Sequence, residues 1–94
     1  MKTHMSDKEI TQQLEHFKGW LWNEDKLKKN YTFNNFREAM AFVFRVSYEA
    51  EEINHHPEIF NCYNRVELAL NTHEAGGKVT GKDFDLARAI DKIA

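Results

Sequence analysis

Residues 34–57, NNFREAMAFVFRVSYEAEEINHHP, carry the longest regular pattern of the chain and determine its architecture. Asn34 or Asn35 can cap a helix. Pro57 disfavours helical geometry at the preceding residue, so we expect this central helix to end near Asn54 or His55. Apolar residues recur at spacings of three and four, which predicts one continuous buried face. That face consists of Phe36, Ala39, Met40, Val43, Val46, Ser47, Ala50 and Ile53.

Two aromatic residues, Phe44 and Tyr48, lie on nearly the opposite side of the predicted helix, because each residue turns a helix by about 100°. If the first face packs on a sheet, these two rings need a second partner. We therefore expect a helix-to-helix contact between subunits. The alternative is that the two rings are scattered surface aromatics, which are common in folded proteins.

The segment before the central helix predicts a short helix and two strands. Ser6 and Glu9 have the spacing of a capping box, and apolar residues follow at helical spacing. We expect a helix from about Asp7 to Lys18. Two short strands joined by a polar turn follow, with the strands at 20–22 and 27–33 and the turn at 23–26.

The segment after the central helix predicts two further strands and a last helix. Val66, Leu68 and Leu70 alternate with less apolar residues, as in a half-buried strand. The other expected features are a strand from Glu58 to Tyr63, a turn at Asn64-Arg65, a turn at Gly76-Gly77, and a helix capped by Thr80 with a Val79/Phe84 staple. The element order is αββαββα. Because hairpins favour antiparallel pairing, we expect an α+β fold with three helices on one face of a four-stranded antiparallel sheet.

The composition of the 94 residues bounds the class of protein. We expect a single domain over 1–94, with residues 1–5 as a frayed tail. Lys plus Arg number 13 against 15 for Asp plus Glu, so the net charge of −2 disfavours direct nucleic-acid binding. No apolar run reaches the roughly 18 residues of a membrane span, and the start does not resemble a signal peptide. The lone Cys62 suits a reducing compartment, so we expect a cytoplasmic protein.

Three histidines are candidates for chemistry, because imidazole both donates and accepts protons near neutral pH. His55 and His56 stand where the central helix gives way to a strand, and His73 lies near the end of a later strand. The negative end of the helix favours the charged form of a nearby histidine. Glu51 lies one turn before His55, on the same face if the helix persists, and could orient its imidazole. The plainer alternatives are an exposed turn and a solvated glutamate.

Other kinds of site have less support from the sequence. Three histidines could bind zinc, but no His-x-x-x-His pair and no pattern of supporting partners accompany them, so we expect no metal. Residues 74–78 lack the glycine spacing and the Lys-Ser/Thr ending of a phosphate loop. Asp83 follows Thr80 by three residues and has a structural alternative, which is to complete a helix cap. Trp20 also has a structural alternative, which is to be a residue of the hydrophobic core.

The spacing of these residues resembles the signature of the pterin-4a-carbinolamine dehydratase family. The matching run is Glu51-x-x-x-His55-His56-Pro57, followed by Tyr63, His73 and Asp83. The resemblance extends over nearly the whole chain, from about Leu14 to Ala94. Further similar positions are Gly19-Trp20, Phe33 and Phe36, Ala50-Glu51, Asn61-x-Tyr63-Asn64, Thr72-His73-Glu74 and Leu86-Ala87.

The resemblance implies a reaction and a set of site residues. The reaction is dehydration of a 4a-hydroxytetrahydropterin to the quinonoid dihydropterin, which recycles the cofactor of aromatic amino-acid hydroxylases. The implied pterin site is lined by His55, His56 and His73, with Glu51, Trp20 and Asp83 as nearby substrate-binding residues. We hypothesise that His55 and His73 are the acid/base pair and that His56 mainly holds the pterin. No metal or other cofactor is needed, because the pterin is the substrate.

The resemblance also implies assembly, and it raises a function of another class. Family members are often tetramers built from dimers, so we expect a homodimer or homotetramer formed through the central helix and the sheet edges. In animals, a member also stabilises dimers of a homeodomain transcription factor through its helical self-assembly surface. The alternative function is therefore a non-catalytic binding module, in which Phe44 and Tyr48 would make the contact.

Overall fold

The computed structural model describes residues 5–94, and residues 1–4 lie outside it. Its elements follow the predicted order. They are α1 (Asp7–Leu14), β1 (Leu21–Asn23), β2 (Lys26–Thr32), α2 (Phe36–Glu52), β3 (Glu58–Cys62), β4 (Arg65–Leu70), a 3₁₀ turn (His73–Ala75) and α3 (Gly81–Ile93). Most of the predicted frayed tail falls outside the described residues. Met5, however, donates its backbone N–H to the Val79 carbonyl at 3.2 Å, and its side chain packs against the core.

The four strands form one antiparallel sheet in the order β1-β2-β4-β3. Leu27 pairs with Leu70 and Tyr31 with Val66, so these side chains share one face of the sheet. The alternation predicted for β4 is confirmed, because Val66, Leu68 and Leu70 are all buried. The antiparallel four-stranded sheet of the sequence prediction is therefore confirmed.

The three helices cover this face of the sheet. Ile10 of α1, Val46 of α2 and Ile90 of α3 belong to one core cluster with the inward side chains of β2 and β4. On the other face, Leu21 and Phe60 are largely exposed. The predicted α+β fold with three helices on one face is confirmed. Within residues 5–94, no helix has both the length and the apolar character needed to cross a membrane.

The ends of α2 are set by its neighbours in the sequence. Asn35 is the N-cap, and its side chain accepts a hydrogen bond from the Glu38 N–H at 2.8 Å. The helix ends at Glu52, slightly before the predicted end. Asn54 takes a left-handed conformation with φ 52°, which an α-helix cannot contain, so the chain turns before it reaches Pro57.

The predicted apolar face of α2 was wrong in one central respect, because it omitted Phe42. This ring is buried and packs on Tyr31 and Phe33, with ring centroids 4.7 and 4.9 Å apart. Phe36 and Ile53, which the prediction included, are exposed at the two ends of the helix. The face that meets the sheet is therefore rotated towards Phe42 and is shorter than the periodicity predicted.

The strands β1, β2 and β3 differ from their predicted bounds by one residue at one or both ends, and the end of α1 and the turn between β3 and β4 differ as well. α1 ends at Leu14 rather than Lys18, because the next backbone N–H groups bond three residues back and tighten the chain into turns. The turn between β3 and β4 consists of Tyr63 and Asn64 rather than Asn64 and Arg65. Cys62 pairs directly with Arg65, so only two residues remain between the strands, and Tyr63 has φ 54°.

Candidate active site

His55 is positioned by the turn that ends α2. Its backbone N–H donates to the Ala50 carbonyl at 3.0 Å, just after the left-handed Asn54 has redirected the chain. Only 6% of His55 is exposed, and its Nε2 lies 2.5 Å from Oδ1 of Asp83 at the start of α3. The histidine therefore points into the protein, where a carboxylate holds one of its two ring nitrogens.

Asp83 has two roles in the structure. Its Oδ2 accepts the Thr80 backbone N–H at 2.9 Å, which completes the capping box of α3, and the Thr72 hydroxyl at 2.9 Å. Its Oδ1 takes the hydrogen bond to His55. Asp83 is 0% exposed, and a buried carboxylate is tolerated only when its oxygens are satisfied in this way. The cap and the histidine thus use opposite oxygens of one side chain.

The hydrogen-bond pattern determines which nitrogen of His55 is free. An ionised carboxylate only accepts hydrogen bonds, so Nε2 of His55 carries the hydrogen that Asp83 accepts. In the neutral ring, Nδ1 is then the unprotonated nitrogen and can accept a proton. A histidine held in one tautomer by a buried aspartate is an arrangement suited to general-base catalysis.

His73 lies in the 3₁₀ turn that follows β4, and it is exposed. Sequence reasoning placed it near the end of the strand, but β4 ends before it. The turn is closed by Gly76 and Gly77, whose φ angles of 76° and 77° suit glycine. His73 directly follows Thr72, so the Cα atoms of the two residues are about 3.8 Å apart. The Thr72 hydroxyl donates a hydrogen bond to Asp83.

Glu74, which follows His73, has a perturbed carboxyl. The pKa of this exposed carboxyl is lowered, chiefly by a hydrogen bond from its own backbone N–H and next by the Lys82 ammonium. His55 and His73 both lower it further.

His56 is at the surface, and it is His56 rather than His55 that forms the hydrogen bond with Glu51. Nε2 of His56 lies 2.6 Å from Oε1 of Glu51, and both side chains are exposed. The expected Glu51–His55 pairing was wrong because it required the helix to persist, whereas α2 ends at Glu52. The turn at Asn54 presents His56, not His55, to the glutamate.

Trp20 belongs to a separate, partly buried polar network. Its indole N–H donates to Oδ2 of Asp91 at 3.0 Å, and Oδ1 of Asp91 accepts from Lys29 at 2.9 Å and from the Tyr31 hydroxyl. Burial, and then the hydrogen bond to Asp91, raises the pKa of Tyr31 well above its usual range. Asp91 lies eight residues after Asp83, about 12 Å along α3. Trp20 is only 4% exposed, and its one hydrogen-bond donor is already used by Asp91.

Sequence reasoning missed Thr72, although the chain contained a signal for it. The alternation of Val66, Leu68 and Leu70 continues to Thr72, which places a hydroxyl at a buried position. Buried hydroxyls need hydrogen-bond partners, so this position predicts a polar contact inside the protein. The same alternation predicts an outward-facing His73; in the structure His73 is exposed, in the turn beyond the end of β4.

A depression of about 510 Å³ lies on the uncovered face of the sheet. None of the three candidate histidines lines it, so this depression is not the predicted pterin site. Its lining includes Leu21, Lys28, Phe60 and Glu67. Within residues 5–94, no three His, Cys, Asp or Glu side chains are grouped as a site for a metal ion.

Comparison with known proteins identifies the family. The family model described as Pterin 4 alpha carbinolamine dehydratase matches residues 3–93. A relative from Opitutus terrae, provisionally named pterin-4-alpha-carbinolamine dehydratase, is 52% identical over 100% of this chain and 97% of its own length. A relative from Sulfolobus acidocaldarius with the same provisional name is 45% identical over 95% of this chain and 97% of its own length.

Solved structures share the fold. A crystal structure from Brucella melitensis, described as a transcriptional coactivator/pterin dehydratase, has a TM-score of 0.92 and 32% identity and covers 98% of this chain and 99% of its own. A pterin dehydratase-like RuBisCO assembly factor of the alpha-carboxysome has a TM-score of 0.68 and covers 84% of this chain and 93% of its own. At 22% identity, that second likeness concerns the fold alone. On the extent of the family match and of these identities, the chain belongs to the pterin 4 alpha carbinolamine dehydratase family.

Proposed function

We propose that the protein is a dehydratase that converts 4a-hydroxytetrahydropterin to quinonoid dihydropterin and water. Family membership supports the reaction class. The observation that carries the proposal is the buried hydrogen bond between His55 and Asp83, whose carboxylate also accepts the hydroxyl of Thr72, the residue before His73. This arrangement supports His55 as a proton acceptor, and it connects Asp83 to the residue that precedes His73.

The reaction requires one base and one acid. The base removes the proton from the ring nitrogen next to carbon 4a, and the electron pair of that N–H bond becomes the new carbon–nitrogen double bond. The bond between carbon 4a and the hydroxyl oxygen breaks, and the acid protonates the oxygen, which leaves as water. One imidazole ends protonated and the other deprotonated, so proton exchange with water restores both. Each group contributes a rate factor of about 10²–10⁴.

His55 is suited to be the base, and His73 the acid. Asp83 holds Nε2–H of His55, so Nδ1 accepts the proton and the carboxylate stabilises the imidazolium that forms. His73 is exposed, so it can exchange protons with solvent after each turnover. His56, oriented by Glu51 at the surface, would hold the pterin.

The proposed roles of the remaining residues follow from their contacts. Both oxygens of Asp83 are occupied, so we assign it to positioning His55 rather than to binding the pterin. Trp20 remains with the core network around Asp91. The proposed reaction uses imidazoles only, with no metal, nucleotide or covalent nucleophile.

A stopped-flow assay of a freshly generated 4a-carbinolamine tests the proposal. The protein should accelerate its decay, and His55→Gln and His73→Gln should each remove most of the acceleration. His16→Gln is the matched control, because His16 is exposed and lies just after α1. A wild-type rate equal to the spontaneous rate would refute the reaction, and full turnover by both site variants would refute the assignment of residues.

The outer surface of α2 supports a second function, which is protein–protein binding, either to further copies of this chain or to a different partner. Phe44 and Tyr48 are 62% and 65% exposed, and their rings pack edge to face with centroids 5.0 Å apart. We propose that this aromatic pair forms a homodimer or homotetramer contact, with the edge strands β1 and β3 as further contacts. The same pair could bind a different partner, as the description of the Brucella melitensis protein as a coactivator suggests.

A further inference from the structure

We propose that Thr72 is a positioning residue that couples the two catalytic imidazoles, an inference that rests on the proposed dehydratase function. Its hydroxyl reaches the carboxylate that holds His55, and its backbone anchors the turn that carries His73. Thr72 is fully buried, so it cannot touch the pterin. Its effect on the reaction must therefore pass through the two histidines.

The first connection is a one-way chain of hydrogen bonds. The Lys82 backbone N–H donates to Oγ1 of Thr80 at 3.2 Å, and Oγ1 of Thr80 lies 2.7 Å from Oγ1 of Thr72. Thr72 donates its single hydroxyl hydrogen to Oδ2 of Asp83 at 2.9 Å, so the hydrogen between the two threonines must come from Thr80. The start of α3 thereby fixes the orientation of the carboxylate that holds His55.

The second connection is through the Thr72 backbone. Its carbonyl accepts the N–H groups of Ala75 at 3.1 Å and Gly77 at 3.0 Å, and its own N–H donates to the Lys78 carbonyl at 2.9 Å. These bonds close the 3₁₀ turn that contains His73. A displacement of Thr72 would therefore move His73 relative to Asp83.

Removing the hydroxyl has a specific consequence. Oδ2 of Asp83 would keep one of its two donors, and the Thr80 hydroxyl would lose its buried acceptor. The carboxylate could then rotate out of hydrogen-bond contact with Nε2 of His55, and without that acceptor the imidazole is no longer held in a single tautomer. We expect kcat to fall about tenfold, which corresponds to about 1.4 kcal/mol in the barrier, with KM unchanged.

The test compares Thr72→Val, which has a similar shape without the hydroxyl, with Thr72→Ser, which restores it. Thr32→Val is the matched control, because Thr32 is exposed and pairs with Arg65 on the uncovered face of the sheet. Stopped-flow assays give kcat and KM, and nitrogen NMR gives the tautomer of His55. Wild type, Thr72→Ser and Thr32→Val should show Nε2–H, and Thr72→Val should show a mixture of tautomers.

The outcomes separate this inference from the proposed function. A wild-type protein that does not accelerate dehydration would refute the function, while the NMR spectra would still decide the role of Thr72. Hydrogen on Nδ1 of His55 in the wild type would overturn the inference, even if Thr72→Val does not fold. A Thr72→Val protein that is less stable but keeps kcat and a single tautomer would also overturn it, because that result describes a purely structural residue.

Discussion

Replacing Asp83 by asparagine should inactivate the protein by reversing the tautomer of His55. Oδ2 of Asp83 accepts two donors, from Thr72 and Thr80, so the amide oxygen of the asparagine will take that side. The NH₂ group then faces Nε2 of His55, which must become an acceptor. The imidazole hydrogen moves to Nδ1, and the neutral ring can no longer accept a proton at its free nitrogen.

The structure gives the size of both effects. Loss of the general base should lower kcat by about 10²–10⁴. Three hydrogen bonds to the side chain lose their charge, and a charged hydrogen bond is worth about 1 kcal/mol more than a neutral one. Unfolding free energy should therefore fall by about 3 kcal/mol, less than the roughly 5–15 kcal/mol that holds a typical domain together. The Asp83→Asn protein should remain folded.

Stopped-flow decay of the 4a-carbinolamine measures kcat, and urea denaturation measures the unfolding free energy. Asp85→Asn is the control, because Asp85 lies on the same helix but is exposed and contacts Arg88. It should leave both quantities nearly unchanged. Wild-type kcat in a folded Asp83→Asn protein would refute the tautomer argument, as would nitrogen NMR spectra that still show Nε2–H on His55.

Three further predictions concern assembly, backbone strain and pH. Tyr48→Asp should reduce the mass measured by light scattering without lowering kcat per protomer, and an unchanged mass would exclude the aromatic pair as the contact. Gly19→Ala should lower unfolding free energy by about 2 kcal/mol, because φ is 88° and the new Cβ would lie 2.9 Å from Lys29 Cε, which would displace the Lys29 ammonium from its hydrogen bond with Asp91. Gly76→Ala, with φ 76° in open space, should cost about 1 kcal/mol, so equal urea midpoints would contradict this difference. Stability should decrease as pH rises above about 10, because burial raises the pKa of Tyr31 and the folded state holds that proton more tightly than the unfolded chain. In Tyr31→Phe, the melting temperature should fall less steeply over the same alkaline range.

Local sequence rules predicted much of the architecture. Ser6 with Glu9 and Thr80 with Asp83 both form the capping boxes that their three-residue spacing indicates. These capping boxes could be predicted because the paired residues lie within one helical turn of each other in the sequence. Helix ends were less predictable, since the left-handed conformation of Asn54 is not a property of its neighbours alone.

The candidate site required contacts that short-range spacing does not contain. His55 and Asp83 are 28 residues apart, and only the packed position of α3 brings them together. The spacing of an ideal helix predicted a contact between Glu51 and His55. Because α2 ends early, Glu51 contacts His56 instead. The network of Trp20 and Asp91 spans 71 residues and has no local signature.

The two roles of Asp83 limit what its presence in a relative can indicate. A descendant that gave up dehydration would no longer need the imidazole at position 55 for chemistry, but it would still need an acid to start its last helix. An aspartate at position 83 is thus weak proof of enzymatic activity in a homologue. The histidine at position 55 is the better marker, because nothing in the cap of α3 depends on it.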